Sequence, residues 1–362
     1  MKNVYCRPNS ARLRSCSALL VAGCLLGWFA VPAFAEQVHL SIAGSTLLIP
    51  LFKLWIPDYV ASNPTLTMTT EAIGSGAGIE AAISGRAQIG ASDAYMSDEQ
   101  AEQNPQIVNI PLAIASQTVN YNLPDIGASK LKLDGPTLAG IYSGAIREWD
   151  SAPIKSLNKN AILPHHLIIP VRRSDASGDT FVFTQFLNFS TPSWEDKIGF
   201  GTTVAWPSVP GEMTASGNEG VLQTLAAARY AISYIGISFA GQVTKAGLGT
   251  AMIGNQSGKF LLPTPDTVSA AASELDHRTP PDERLSLVFA PGDNSYPLIN
   301  YEYAVVSAHQ PDPAVAKTLR DFLLWAISPV GGNTRKYLDA VNFIPLPDFL
   351  RALNEKQIAK LK

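Results

Sequence analysis

Three times along this 362-residue chain, a turn of small and hydroxyl-bearing residues stands immediately before a helical pattern. These turns are Gly44-Ser45-Thr46, Gly74-Ser75-Gly76 and Ser177-Gly178-Asp179. A short apolar strand pattern precedes the first turn (Val38 to Ala43) and the third (Leu167 to Val171). Strand, turn and helix repeated in this order predict an α/β fold with ligand-binding groups at the ends of the strands.

Such a turn directs free backbone N–H groups and the positive end of a helix dipole at one point. Glycine lets an oxyanion approach the backbone closely, and Ser or Thr adds a hydroxyl donor. We expect the second turn to extend through Gly78, with its helix over Ile79 to Ser84. Each turn taken singly is equally well an ordinary helix N-cap. Three of them, with Arg173 beside the third, favour an anion-binding site.

An acid stands among these donors, at the end of the strand predicted over Ala87 to Ala91. It is Asp93, in the segment Gly90-Ala91-Ser92-Asp93-Ala94. Phosphate at neutral pH keeps at least one proton, so its site can include an acceptor as well as donors. Sulfate keeps none, and a buried carboxylate would repel it. Asp93 therefore favours phosphate, although it could simply cap the helix that starts near Ser97.

The first 35 residues have the pattern of an export signal. A basic start without acids precedes an apolar stretch, Ser17 to Val31, and the A-x-A sequence Ala33-Phe34-Ala35. We expect cleavage after Ala35 and a periplasmic protein. A competing interpretation is a lipoprotein with its lipid on Cys24, in Val21-Ala22-Gly23-Cys24. The apolar run continues past Cys24, which favours the first interpretation.

Composition excludes several classes of function for the rest of the chain. The three cysteines all lie in the leader, so no disulfide and no cysteine nucleophile is expected after it. Without the four leader bases, 23 basic side chains face 30 acidic ones, a balance of −7 that argues against nucleic acid as a partner. No later apolar run approaches the ~20 residues of a membrane span. The five histidines lack metal-ligand spacing, so we expect neither a metal nor another cofactor.

Together these motifs resemble those of the periplasmic phosphate-binding proteins of bacterial phosphate ABC transporters. The resemblance extends in order over the whole chain after the leader. It is carried by Ala43-Gly44-Ser45-Thr46, Ile73-Gly74-Ser75-Gly76-Ala77-Gly78, Gly90-Ala91-Ser92-Asp93-Ala94, Ile141-Tyr142-Ser143-Gly144, Glu148-Trp149-Asp150, Arg173-Ser174-Asp175-Ala176-Ser177-Gly178, Trp206-Pro207, Gly217-Asn218-Glu219-Gly220 and Pro345-Leu346-Pro347-Asp348.

This resemblance implies a two-lobed α/β fold of the type II periplasmic-binding-protein class, with a ligand cleft between the lobes. After a signal peptide over 1–35, lobe 1 would comprise 36–113 and 298–362, and lobe 2 would comprise 114–297. The implied function is to close on one inorganic phosphate and deliver it to an inner-membrane ABC permease. We expect a monomer and no catalysis.

The resemblance also assigns phosphate contacts to hydroxyl and backbone donors at the helix starts. These donors would be Thr46, Leu47, Ser75, Ser177, Gly178 and Asp179. Two positions depart from the family pattern, which commonly has Phe at Leu47 and Thr at Asp179. The first departure removes an aromatic wall. The second removes a hydroxyl and adds an acid near the anion.

Three charged residues complete the implied site. Asp93 would accept the proton of the phosphate. Arg173 would supply the single positive charge, and Asp175 would hold its guanidinium in place.

Functions from other classes remain open on the residues alone. A secreted hydrolase would use Ser75 or Ser177 as nucleophile and His165 or His166 as base, but the chain lacks a G-x-S-x-G elbow. A binding protein for another oxyanion, sulfate or molybdate, would keep the fold, and Asp93 is the residue that argues against it. An added role as a surface sensor or adhesin also stays open.

Overall fold

The computed structural model describes residues 37–124, 126 and 130–362. The predicted signal peptide, its cleavage site after Ala35 and the alternative lipid site at Cys24 lie outside the described residues. Among the described helices, none combines the length and the apolar character that crossing a membrane requires.

The described residues alternate between strands and helices along most of their length. The strands are β1 (Val38–Gly44), β2 (Leu66–Ala72), β3 (Ile89–Ser92), β4 (Ile107–Tyr121), β5 (Lys132–Leu133), β6 (Ile169–Arg173), β7 (Met213–Ala215), β8 (Ala231–Gly236), β9 (Gly249–Thr250), β10 (Met252–Gly254), β11 (Phe260–Leu261) and β12 (Ile299–Ser307). The helices are α1 (Ile49–Ala61), α2 (Ser75–Ile83), α3 (Asp98–Gln103), α4 (Gly135–Tyr142), α5 (Ala152–Leu157), α6 (Gly178–Ser190), α7 (Pro192–Glu195), α8 (Gly217–Ala227), α9 (Ala240–Lys245), α10 (Pro265–Leu275), α11 (Pro313–Ile327), α12 (Arg335–Leu338) and α13 (Asp348–Ile358).

The main sheet has the strand order β2-β1-β3-β12-β4-β8-β6-β7, and β9 also pairs with β4. Strand β1 runs parallel to β2 and β3, and β6 runs parallel to β7 and β8. Parallel strands need crossover helices, which is the arrangement that the strand, turn and helix pattern predicts. The predicted α/β class is therefore confirmed. A second, three-stranded sheet has the order β11-β10-β5.

The long strand β4 joins two halves of the main sheet. Its residues 107–116 pair antiparallel with β12, and its residues 117–121 pair antiparallel with β8. Helix α11 then packs on α1, where the ring centroids of Tyr59 and Phe322 are 5.0 Å apart. The last part of the chain thus lies against the first half of the sheet, whereas β6, β7 and β8 form the second half.

The helix predicted over Ile79 to Ser84 begins earlier than expected, at Ser75. Among the three glycines of this segment, 74, 76 and 78, only Gly74 has a positive φ, +89°, which glycine tolerates better than other residues. Gly78 lies inside the helix, where a Cβ would stand 2.7 Å from the carbonyl oxygen of Ala43. Gly78 therefore serves close packing of α2 against the sheet rather than a longer turn.

The loop before β12 buries a glutamate, Glu283, whose side chain has no exposed surface. Neither carboxyl oxygen has a hydrogen-bond partner among the described residues. Burial raises the pKa of Glu283 to about 9. Between the ordinary pKa of 4.5 and the raised pKa of about 9, the carboxyl is neutral in the folded protein but ionised in the unfolded chain. The folded protein therefore loses stability as the pH rises through this range.

We therefore expect Glu283→Gln to stabilise the protein at pH 8, by roughly a few kcal/mol, and to change little at pH 4. Thermal melts of both proteins at the two pH values measure this. An equal shift of the melting temperature at both pH values would contradict it.

Candidate functional site

The starts of four helices meet between the two halves of the sheet. Helices α1 and α2 follow strands of the first half, and α6 and α8 follow strands of the second half. The backbone N–H of Gly76, in α2, donates to the carbonyl of Ala176, just before α6, at 2.9 Å. The backbone N–H of Asn218, in α8, donates to the hydroxyl of Thr46, just before α1, at 3.1 Å. Helix starts carry free N–H groups and positive dipole ends, so their meeting point favours negative charge.

Predicted site residues from both halves are in direct contact at this point. The backbone N–H of Asp93 donates to the Ser75 hydroxyl at 3.1 Å. A methyl group on Gly178 would lie 2.6 Å from Asp93 Cβ, so only glycine permits this approach. Ser177 caps α6, because its hydroxyl accepts a hydrogen bond from the N–H of Thr180 at 3.3 Å. Ser75, Asp93, Ser177 and Gly178 therefore form one buried group.

The guanidinium of Arg173, at the end of β6, is almost completely buried, with 1% of its side chain exposed. Its Nε donates to Asp175 at 2.7 Å, and its Nη2 donates to the other oxygen of the same carboxylate. Its Nη1 donates to Asp179 Oδ2 at 2.7 Å. Burial alone would lower the pKa of Arg173, but the hydrogen bonds that it donates to Asp175 and the negative charge of Asp179 outweigh burial and raise the pKa. The cation is thus held by two carboxylates.

Asp179, one of the two departures from the family pattern, is the second of these carboxylates. Its Oδ2 also accepts a hydrogen bond from Asn218 Nδ2 at 2.7 Å, and its Oδ1 accepts one from Gln117 Nε2 at 3.1 Å. Burial raises the pKa of Asp179, although the charge of Arg173 opposes that shift. The added acid therefore competes with any bound anion for the Nη1 group of Arg173.

Asp93 has the most unusual environment among the predicted site residues. It is 2% exposed, and its Oδ1 accepts a hydrogen bond from the Ser45 hydroxyl. Burial and the negative charge of Asp179 raise the pKa of Asp93 to about 7, although hydrogen bonds from Ser45 and Glu302 oppose the shift. A carboxyl group that titrates near neutrality can accept a proton from a ligand and can also carry one.

Thr46 and Leu47 stand where α1 approaches the second half of the sheet. The Thr46 hydroxyl accepts a further hydrogen bond from Asn218 Nδ2 at 2.9 Å. The N–H of Leu47 donates to Ser45 Oγ at 3.0 Å, within its own turn. The Leu47 side chain is buried against Gly236, where a Cβ would stand 2.6 Å from Leu47 Cδ1. Leucine thus fills the position where the family commonly has an aromatic ring.

Four buried polar residues join the site although the sequence analysis assigns them no role in it: Ser45, Gln117, Asn218 and Glu302. Three of them had a detectable signal. Ser45 belongs to the first predicted turn. Asn218 stands in Gly217-Asn218-Glu219-Gly220, another small-residue turn before a helix. Glu302 is an acid in the otherwise largely apolar sequence of 298–306, where burying a charge is costly unless it is paired and hydrogen-bonded.

The histidines proposed for a hydrolase lie in a different environment. His165 Nδ1 is 3.2 Å from Asp150 Oδ1, and both belong to a cluster with Glu148 whose ligand atoms lie within 4.8 Å of one another. The side chain of His165 is 77% exposed. His166 stacks on Tyr230, with 4.0 Å between ring centroids. No hydrogen bond between either histidine and a proposed nucleophilic serine forms in the part of the chain that the structure describes.

The sequence of this chain matches a family model and is similar to known proteins. Residues 31–330 match the model of the PBP superfamily domain. The phosphate-binding protein PstS of Methanocaldococcus jannaschii is 31% identical, over 94% of this chain and 92% of its own length. PstS of Pasteurella multocida is 32% identical, over 91% of this chain and 92% of its own length.

Solved structures resemble the fold. A periplasmic phosphate-binding protein with bound phosphate, PfluDING, superposes with a TM-score of 0.70 at 22% identity, over 87% of this chain and 92% of that one. A phosphate-binding protein from Stenotrophomonas maltophilia gives a TM-score of 0.65 at 18% identity, over 88% and 93%. The predicted two-lobed binding-protein class is confirmed by these matches together with the superfamily domain.

Fold and domain match thus define a protein of the PBP superfamily. Within that superfamily, the chain belongs to the family of the PstS phosphate-binding proteins.

Proposed function

We propose that this protein is the extracytoplasmic binding component of a phosphate importer, which captures inorganic phosphate between its lobes and delivers it to an inner-membrane ABC permease. The observation that carries the proposal is the meeting of a buried cation, Arg173, and a buried acceptor, Asp93, at four helix starts. The names of the PstS relatives and the phosphate bound in PfluDING support it.

Each part of the site has a task in this proposal. A phosphate that leaves water loses its hydration, and burying its charge is costly without hydrogen bonds. The N–H and O–H groups of the helix starts replace that hydration, and Thr46, Ser75 and Gly178 are among these donors. Arg173 adds a charge-assisted contact, and Asp93 accepts the phosphate proton. Asp175 orients the guanidinium.

The lobe boundaries stay as proposed from the sequence, with lobe 1 over 36–113 and 298–362 and lobe 2 over 114–297. The paired strands β4 and β12 support this division, because each runs near one of the two boundaries. We propose that the protein works as a monomer in the periplasm after loss of residues 1–35.

We expect the purified protein to bind one phosphate and to leave phosphate esters intact. A binding function needs no nucleophile, and the hydroxyls of Ser75 and Ser177 accept hydrogen bonds from the backbone N–H groups of Asp93 and Thr180. Equilibrium dialysis with radiolabelled phosphate measures the stoichiometry, and incubation with 4-nitrophenyl phosphate measures hydrolysis. Turnover of the ester that disappears in a Ser75→Ala or Ser177→Ala variant would favour the hydrolase instead.

A further inference from the structure

Glu302 is a completely buried acid on β12. Strand β12 pairs antiparallel with β3 so that Tyr303 stands opposite Ser92, which places Glu302 beside Asp93. The register between β12 and β4 shifts at Glu302, as in a β-bulge, and bulges redirect side chains. Burial and the negative charge of Asp93 raise the pKa of Glu302 well above its ordinary value.

Asn300, on the same strand as Glu302, donates hydrogen bonds to both Asp93 and Glu302. Its Nδ2 donates to the carbonyl of Asp93 at 3.2 Å and to Glu302 Oε1 at 3.0 Å. The other oxygen, Glu302 Oε2, is buried without a hydrogen-bond donor among the described residues. An ionised carboxylate would leave that oxygen uncompensated, which is costly, whereas a carboxylic acid can use it as an O–H donor.

The charges around the pair decide which member carries a proton. Glu302 faces two acids, Asp93 from the loop after β3 and Asp179 from the start of α6. Asp93 also faces the negative charge of Asp179, but unlike Glu302 it accepts a hydrogen bond from the Ser45 hydroxyl and lies near the positive charge of Arg173, which is itself paired with Asp175 and Asp179. Negative charge is therefore better tolerated on Asp93 than on Glu302.

We propose that Glu302 is a positioning residue for phosphate selection: it stays protonated, donates a hydrogen bond to the Asp93 carboxylate, and keeps Asp93 as an acceptor that faces the ligand. This rests on the proposed function. Without the donor, Asp93 binds a proton more readily and turns from an acceptor into a donor. It then loses its preference for an anion that carries a proton.

The test compares Glu302→Gln, which keeps an N–H donor, with Glu302→Leu, which removes it. Calorimetric titration with phosphate and sulfate from pH 6 to pH 8 gives both affinities. We expect the Gln variant to stay within about threefold of wild type. The Leu variant should lose roughly ten- to a hundredfold in phosphate affinity at pH 8, the usual scale for a hydrogen bond to a charged group. In the Leu variant, sulfate should compete with phosphate up to a higher pH than it does in wild type.

Glu283→Gln serves as the matched control, since it replaces another completely buried glutamate, outside the site, by the same amide and should leave both affinities unchanged. A Leu variant with the wild-type affinities and pH profile overturns the inference, as does a Gln variant that loses as much as the Leu variant. If the Leu variant does not fold, the Gln variant decides: a ratio of phosphate to sulfate affinity that departs from wild type means that Glu302 is ionised. Wild-type protein that binds no phosphate would instead overturn the proposed function.

Discussion

Replacing Arg173 with alanine is expected to weaken phosphate binding by well over tenfold. The substitution removes the buried guanidinium and leaves Asp175 and Asp179 without their shared cation, beside a bound anion. Loss of a desolvated, charge-assisted contact typically costs ~2–5 kcal/mol. Isothermal titration calorimetry of wild type and Arg173→Ala measures the difference directly.

The chain offers a matched control in the adjacent arginine. Arg172 pairs with Glu212 at 2.7 Å outside the site, so Arg172→Ala should bind phosphate as wild type does. Arg173→Lys keeps the charge but cannot form the paired contact with Asp175, so we expect an intermediate affinity. An unchanged dissociation constant in Arg173→Ala, with the fold intact, would remove this residue from the site.

The second large effect concerns selectivity and depends on Asp93. If its carboxylate accepts the proton of hydrogen phosphate, sulfate offers nothing there, and two acceptors face each other in a closed site. Sites built on such a hydrogen bond reject the analogue that lacks it by ~10⁴–10⁵-fold. Asp93→Asn turns part of the acceptor into a donor. We therefore expect it to reduce the difference in affinity between phosphate and sulfate while phosphate still binds.

Asp179 has to be tested beside it, because a second buried carboxylate could mask the substitution. We expect Asp179→Asn alone to change this difference in affinity less than Asp93→Asn does, because Asp179 already accepts hydrogen bonds from Arg173 and Asn218. The double variant should show the smallest difference in affinity between phosphate and sulfate. Sulfate rejection of wild-type strength in all three variants would contradict the role given to the ligand proton.

Local patterns were sufficient for the parts of the site that are contiguous in sequence. A strand followed by Gly-Ser-Thr, or a Ser-Gly pair before an aromatic helix, indicates its own turn and the N–H groups at its end, and Ser75, Asp93 and Gly178 do lie together. The start of α2 was wrong by a turn, because glycines that permit close packing look like glycines that make a loop.

Contacts across the fold could not be predicted in this way. Gln117 reaches Asp179 from the middle of β4, and Asn218 reaches Thr46 from another helix start, so both depend on how the two halves of the sheet meet. The position of Glu302 beside Asp93 likewise depends on the pairing of β3 with β12. Composition also does not tell whether the extra acid Asp179 faces the ligand or the arginine, and here it binds Arg173.

The most direct test of the central claim is calorimetric titration of the purified wild-type protein with phosphate, sulfate and arsenate at pH 8, where Asp93 is mostly ionised. Phosphate and arsenate have similar geometry and protonation, so we expect both to bind one site and to compete with each other. Sulfate should give no heat of binding at concentrations that saturate the site with phosphate. Sulfate affinity within tenfold of phosphate affinity would contradict a site that selects its ligand through the proton accepted by Asp93.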